Sequence, residues 1–180
     1  MPEAIIGDLK AHARVLHRRA LALDPDALQS LRELPDFARA ADAELRQTLR
    51  RRHCLLLVAR RLGFRDWNHL LAVLAGSDSQ DFGTLLYPAT CQGHWNIWSA
   101  SYAEARSIRA AHGGFLLAYK RQFLIVDRDY VDSLGIDPED PDWTSIGRDW
   151  VRPQNPEARA RLYRKLVHNA LVMQTLQRSA

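Results

Sequence analysis

Apolar residues recur at three- and four-residue steps at the start of the chain: Ile5 and Ile6, then Leu9, Ala13, Leu16, Ala20 and Leu23. That spacing predicts one face of an amphipathic helix over residues 4–23, ended by Asp24-Pro25. Asp26 is placed to cap a short helix through about Leu34, with Pro35 as its stop. A third helical stretch is expected from about Asp36 to Arg50, with Phe37, Ala41, Leu45 and Leu49 inward. The segment RRHCLLLVARRLGFRDWNHLLAVLAG, residues 51–76, then reads as helix, glycine, helix. Leu55, Val58, Ala59 and Leu62 fall on one inward face, and Phe64, Trp67, Leu71 and Leu74 on the next. Gly63 between them suits the left-handed residue that closes a helix. Asp66 stands where a carboxylate favours the exposed amides of the following helix. Gly76-Ser77-Asp78-Ser79 is the most linker-like stretch, which predicts a helical module over 1–76 and a second domain over 81–180.

Beyond that boundary the period changes. HWNIWSA (94–100) alternates Trp95, Ile97 and Ser99 with Trp98 out of phase, as a strand would. Ser101 and Glu104 form a capping-box pattern for a helix that Gly113-Gly114 stop. GFLLAY and QFLIVD read as two strands of a hairpin around Lys120-Arg121. A short helix ends at Gly135. Asp140-Pro141 opens another, with Trp143, Ile146 and Trp150 on one face, and Asn155-Pro156 opens a long one to about Gln177. The stripe of that last helix is Leu162, Leu166, Ala170, Met173 and Leu176. The expected fold is therefore α+β: an N-terminal helical module, then a small antiparallel sheet packed with C-terminal helices in the order β-α-β-β-α-α-α.

Composition narrows the function classes. The 180 residues are 47% hydrophobic and 26% charged, an ordinary globular balance. No apolar run approaches a membrane span, so no membrane partner is expected. Glu3, Asp8 and the apolar stripe favour a structural first helix over a targeting segment. Cys54 and Cys91 form no disulfide framework, which suits a reducing cytoplasm. The net charge is +4 with a pI near 9.4. Its excess lies in residues 1–76, with 13 Lys/Arg against 9 Asp/Glu, while the remainder holds 12 of each. A positive excess is compatible with DNA or RNA as partner. Neither a phosphate loop nor a dinucleotide fingerprint occurs, since Gly113-Gly114 end a helix instead of opening one; no cofactor is expected.

Several constellations offer chemistry. Ala59 and Gly63 have the spacing of a helix-turn-helix, although His69 stands where an aliphatic anchor belongs. On that reading Arg60, Arg61, Arg65, Asn68 and His69 contact nucleic acid, the arginines mainly through phosphate. A plain helical hairpin explains the same leucines and Trp67 by packing. Cys91-x-x-His94 has two-ligand metal spacing and His53-Cys54 could supply more, but adjacent residues on a helix do not converge easily, so no metal is expected. Cys91, Ser99 and Ser101 are candidate nucleophiles with His94 or His112 as base, without a nucleophile-elbow pattern. The second half concentrates aromatic residues. His94, Trp95, Trp98 and Tyr119 are a candidate ligand pocket. Beside Lys120, Arg121 and Arg128 the same aromatics would stack unpaired bases. The plainer alternative is a sheet whose tryptophans pack on the last helices.

LKAHARVL (9–16) together with HCLLLVARRLGFRDWNHLLA (53–72) resembles the small helical domain described as glyoxalase-related. Leu62-Gly63-Phe64 and Asp66-Trp67-Asn68 carry the resemblance, and residues 17–50 intervene as an insertion. Such a domain precedes a glyoxalase-type fold in some proteins. The resemblance thus implies a βαβββ unit after it, with a metal-binding His on the first strand and an acid on the last. His94 fits the first place, whereas Asp127 stands where a Glu is usual. The leading expectation is a non-enzymatic binding or regulatory protein, with nucleic acid as partner through the 51–76 corner. The alternatives are a small-molecule or metal-binding enzyme built on His94, and a protein-interaction adaptor.

Overall fold

In the computed structural model, which describes residues 2–77 and 80–176, the first apolar stripe becomes helix α1 (Pro2–Leu21). Ile5, Leu9, Ala13, Leu16 and Ala20 are buried along it. Leu23 departs from the expected stripe. It lies past the helix end, 44% exposed, with φ 61°. The reason is local: Asp24, not Asp26, caps the next helix. Its Oδ1 accepts the Ala27 N–H at 3.0 Å, and Pro25 supplies the first turn of α2 (Pro25–Leu31).

The expected helix over 36–50 is broken. Pro35–Phe37 form a 3-10 turn with Phe37 buried, and the chain is extended at Ala41 (φ −66°, ψ 154°). α3 (Asp42–Thr48) then starts afresh. Leu45 and Leu49 face inward, while Ala41 is exposed. α4 (Arg51–Arg61) buries Cys54, Leu57, Val58 and Ala59, and α5 spans Trp67–Ala75. Between them Gly63 takes φ 83°. Its N–H donates to the Arg60 carbonyl and that of Phe64 to Ala59, each at 2.9 Å. That is a Schellman turn with glycine at its left-handed position.

The chain divides into two units, Glu3–Leu71 and the chain from Ala72 onward, with the division inside α5. Of the linker-like stretch, Asp78 and Ser79 lie outside the described residues.

The second unit contains the sheet: β1 (Ile97–Ser99), β2 (Phe115–Tyr119) and β3 (Gln122–Val126), in spatial order β1-β3-β2 and antiparallel throughout. α6 (Tyr102–His112) connects β1 to β2, so two strands of like direction flank β3. The helices after β3 are α7 (Arg128–Ser133), α8 (Pro141–Ser145) and α9 (Pro156–Leu176). The protein is α+β, and its second part follows β-α-β-β-α-α-α. β1 is shorter than expected. His94 and Trp95 precede it instead of being its first residues.

Register assigns the faces. Ile97, Ile125 and Leu116 align across the sheet, as do Ser99, Phe123 and Ala118. Ala105 of α6 packs there with Leu116 and Ile125, and Tyr102, Ile108, Phe123 and Val151 complete the cluster. Trp98, Leu124 and Leu117 align on the opposite face. On that side Phe115 meets Trp143 edge-on at 5.0 Å, Trp143 meets Trp150 at 5.5 Å, and Trp150 meets Tyr163 of α9 at 4.6 Å. Both tryptophans are fully buried. This aromatic stack is the packing explanation for the tryptophans of the C-terminal half. Leu162 and Leu166 are buried on α9 as expected, whereas Met173 and Leu176 lie outside the described side chains.

The two edges of the sheet differ. The outer edge of β2 is covered: the Leu116 N–H donates to the Arg148 carbonyl, and the Trp150 N–H to the Leu116 carbonyl, each at 2.9 Å. Among the described residues, the backbone of Ile97, Trp98 and Ser99 is hydrogen-bonded by β3 alone.

Candidate functional site

The 51–76 corner uses its polar residues to hold itself together. Asp66 caps α5 by accepting the His69 N–H at 2.9 Å, and His69 Nδ1 accepts the Arg65 N–H at 3.1 Å. His69 is 4% exposed and meets Phe64 edge-on at 5.6 Å. The sequence reading gave His69 an outward, base-reading role. The structure turns it inward, because an imidazole that returns a hydrogen bond to the preceding amide must lie over the helix start. α5 also buries Leu70, Val73 and Leu74, and of its nine residues only Asn68 and Ala75 are exposed. A helix that reads bases needs a whole polar face for the groove, and α5 has none.

Arg61 is committed as well. Its guanidinium makes a two-pronged pair with Glu33, 2.8 and 3.0 Å, and its side chain is 14% exposed. Arg50 donates to the carbonyls of Gln47 and Leu49 at 2.9 Å. Arg60, Arg65 and Asn68 remain exposed. His53 repeats the device of His69 at the start of α4, its Nδ1 accepting the Arg50 N–H at 3.0 Å. Burial, with Arg52 beside it, holds the His53 imidazole below its ordinary pKa, which favours the neutral acceptor form.

In the second unit the four candidate pocket residues do not form one group. His94 Nε2 pairs with Ser133 Oγ at 2.9 Å, and its ring lies edge-on to Tyr130 at 5.5 Å. A hydroxyl–imidazole pair has the reach of a nucleophile and its base. Ser133, however, ends α7, where a helix presents carbonyls instead of oxyanion-stabilising amides. Cys91 is fully buried with its thiol pKa raised by that burial, and burial pushes Cys54 up to about 11. Neither supplies the thiolate a cysteine nucleophile needs. Ser99 Oγ accepts the Ser101 N–H at 2.9 Å and lies 2.5 Å from Glu104 Oε2, so it relays the expected capping box. Asp127 caps α7 through the Tyr130 N–H at 2.9 Å. Among the described residues no three His, Cys, Asp or Glu side chains converge to hold a metal ion.

Trp98 and Tyr119 do come together, with a third ring that sequence reasoning missed. Tyr87 lies 5.2 Å from Trp98 and 5.1 Å from Tyr119, and Trp98 lies 5.8 Å from Tyr119, all edge-to-face. Three rings in mutual contact fill the space a pocket would need. Lys120 Nζ sits over the Tyr119 ring at 5.2 Å. The cluster is a support, and its outer side is open: Trp98 is 38% exposed, Ile97 44% and Trp95 96%. Three large apolar side chains within four residues are therefore exposed in part or nearly in full, with Ile97 and Trp98 on opposite faces of the sheet, beside a strand edge that no described residue bonds. The signal available in the sequence was an absence. From Phe82 to Ala103 there is no Asp, Glu, Lys or Arg, in a chain that is 26% charged.

No protein-family model matches the chain, and no curated protein or solved structure shows significant similarity to it.

Proposed function

We propose that this protein is a non-enzymatic binding protein, an interaction adaptor whose docking surface is the edge segment Trp95–Trp98. One observation carries the reading: Trp95 is 96% exposed next to the half-exposed Ile97 and Trp98. Single exposed apolar residues are ordinary, whereas a cluster marks a site that is covered by something else. Tryptophan is also the residue type that contributes most when buried at the centre of an interface. The aromatic cluster beneath Trp98 supports the reading by holding that ring in place before a partner arrives, which lowers the ordering cost of binding.

The test is site-specific photo-crosslinking from position 95 in expressing cells, with position 15 as control. Val15 is 45% exposed on α1. The reading predicts a discrete adduct from position 95 and none from 15. Equal, diffuse labelling from both positions contradicts it.

A nucleic-acid reading is supported by the positive excess of residues 1–76 and the exposure of Arg60 and Arg65. In that reading the arginines touch phosphate and α5 does not enter the groove. It predicts affinity for duplex DNA or RNA that falls roughly tenfold between about 50 and 200 mM salt for two phosphate contacts. Binding unchanged in an Arg60→Ala/Arg65→Ala variant would exclude this surface. The proposed kinship of 9–16 and 53–72 with the glyoxalase-related helical domain rests mainly on Leu62-Gly63-Phe64 and Asp66-Trp67-Asn68, and it assigns no activity.

A further inference from the structure

The cations of the second unit fall into two sets. Around α7, α8 and α9 they are paired: Arg128 with Glu139, Lys165 with Asp140, and Arg161 with Asp142 at 2.6 Å. Around α6 they are not. Arg106 and Arg109 of α6, and Arg152 two residues past Trp150, have no carboxylate partner among the described residues. Two of them meet at Tyr102, the first residue of α6. The Arg152 guanidinium lies over its ring, 4.5 Å from the centroid. Arg106, four residues along the same helix face, acts with Arg152 to pull the Tyr102 hydroxyl pKa down. Burial and Asp149 outweigh them and push it up to about 12. Arg109 follows Arg106 after three residues, about 4.5 Å further along the helix axis.

The carboxylates nearby are already engaged. Asp149 Oδ2 accepts the Tyr102 hydroxyl at 2.7 Å, and its Oδ1 accepts the N–H groups of Val151 and Arg152 at 3.0 and 2.9 Å. Glu104 is turned to Ser99. Arg109 carries a further sign of a missing partner: its Nε is buried with no hydrogen-bond partner among the described residues. A charged donor left in that state costs more than a neutral one, and an anion beside the guanidinium offsets it.

We propose that Arg106, Arg109 and Arg152 bind the phosphates of a nucleic-acid backbone, at a site that shares no residue with Trp95–Trp98 or with Arg60 and Arg65. All three cations are arginines, whose planar fork matches phosphate oxygens two at a time. Arg106 and Arg152 are exposed and Arg109 half-buried, so the guanidiniums form an open row. An open row suits a chain of phosphates better than a single enclosed one. The Tyr102 ring is covered by Arg152 and meets Phe123 edge-on at 5.8 Å, which leaves it no face for stacking a base. Binding is therefore independent of sequence.

The experiment is fluorescence anisotropy of the full chain with a labelled DNA duplex at about 50 and 200 mM salt; three phosphate contacts predict an affinity that falls roughly fortyfold over that range. Arg106→Ala, at an exposed position, is expected to flatten the log–log salt slope by about 0.9. Arg106→Ala/Arg109→Ala/Arg152→Ala is expected to lower affinity at the lower salt by about tenfold or more, with an unchanged circular dichroism spectrum. A wild-type chain that does not bind the duplex at low salt overturns the proposal. An unchanged slope in Arg106→Ala also overturns it, even where the triple variant fails to fold. Binding that survives the triple substitution but is lost in Arg60→Ala/Arg65→Ala moves the phosphate contacts to the first unit, so the two surfaces fail separately. Affinity for pyrophosphate that depends on the same three arginines, with none for the duplex, overturns the chain as ligand.

Discussion

The Gly63 corner and the β1 edge dispose of their conspicuous side chains in opposite ways. At the corner, Arg61 is neutralised by Glu33, Arg50 is spent on carbonyls, and His69 is folded back over its own helix start. At the edge, Trp95 is 96% exposed, and Trp98 is braced by Tyr87 and Tyr119. Charged and polar residues at the corner are thus largely consumed in making structure, while apolar residues at the edge are left on offer. Residue type alone would suggest the reverse assignment, since arginines are usually surface and tryptophans usually core. What decides between them is whether each side chain's partners lie within the fold.

The largest expected effect lies at the opposite, covered edge of the sheet. Trp150→Ala removes a fully buried ring from the stack of Phe115, Trp143 and Tyr163, and should cost about 3–5 kcal/mol in urea unfolding. A loss below about 1 kcal/mol would mean the stack does not hold the second unit together. At the corner, Gly63→Ala forces a side chain onto φ 83° and should cost about 1–2 kcal/mol. Arg61→Ala should cost less, about 1 kcal/mol or under, because its pair with Glu33 is partly exposed. If Arg61→Ala instead abolishes nucleic-acid binding at no cost in stability, that arginine is functional and its pairing incidental.

pH sharpens the corner from another side. The His53 pKa is held below the ordinary value, chiefly by burial, so the folded state binds fewer protons than the unfolded one near that pH. Its contribution to stability is therefore present above the unfolded value of about 6.5 and lost as pH falls through the folded value. Urea midpoints should drop between pH 7.5 and more acidic buffers by a margin that His53→Asn reduces. An unchanged margin would remove His53 as the source. The smallest effect is chemical: Cys54 and Cys91 are buried with raised thiol pKa values, so both should resist thiol reagents until the protein is unfolded.

Much of the fold was legible because its signals are local. The Ser101 cap, Asp140-Pro141 and the Lys120-Arg121 hairpin each depend on a few neighbouring residues, and each occurs where the pattern placed it. The misreadings came where one local signal competed with another. Asp24 and Asp26 are both candidate caps beside Pro25, and only the cap geometry at Ala27 selects the first. Ala41 continues the apolar period, yet the turn begun by Pro35 interrupts the helix before reaching it. The site was less legible, since it depends on long-range neighbours. Tyr87 joins Trp98 and Tyr119 from a segment with no periodicity of its own, and His94 finds Ser133 nearly forty residues away. His69 turned inward for want of an aliphatic residue at that place, a substitution visible in the sequence but not its consequence.

The most direct test is amide hydrogen exchange at Ile97, Trp98 and Ser99 in the full chain, alone and with the protein captured by the crosslink from position 95. Docking at Trp95–Trp98 predicts that exchange at these amides slows in the complex, while the amides of β2 stay constant. Exchange at Ile97, Trp98 and Ser99 that is the same with and without that protein would contradict it.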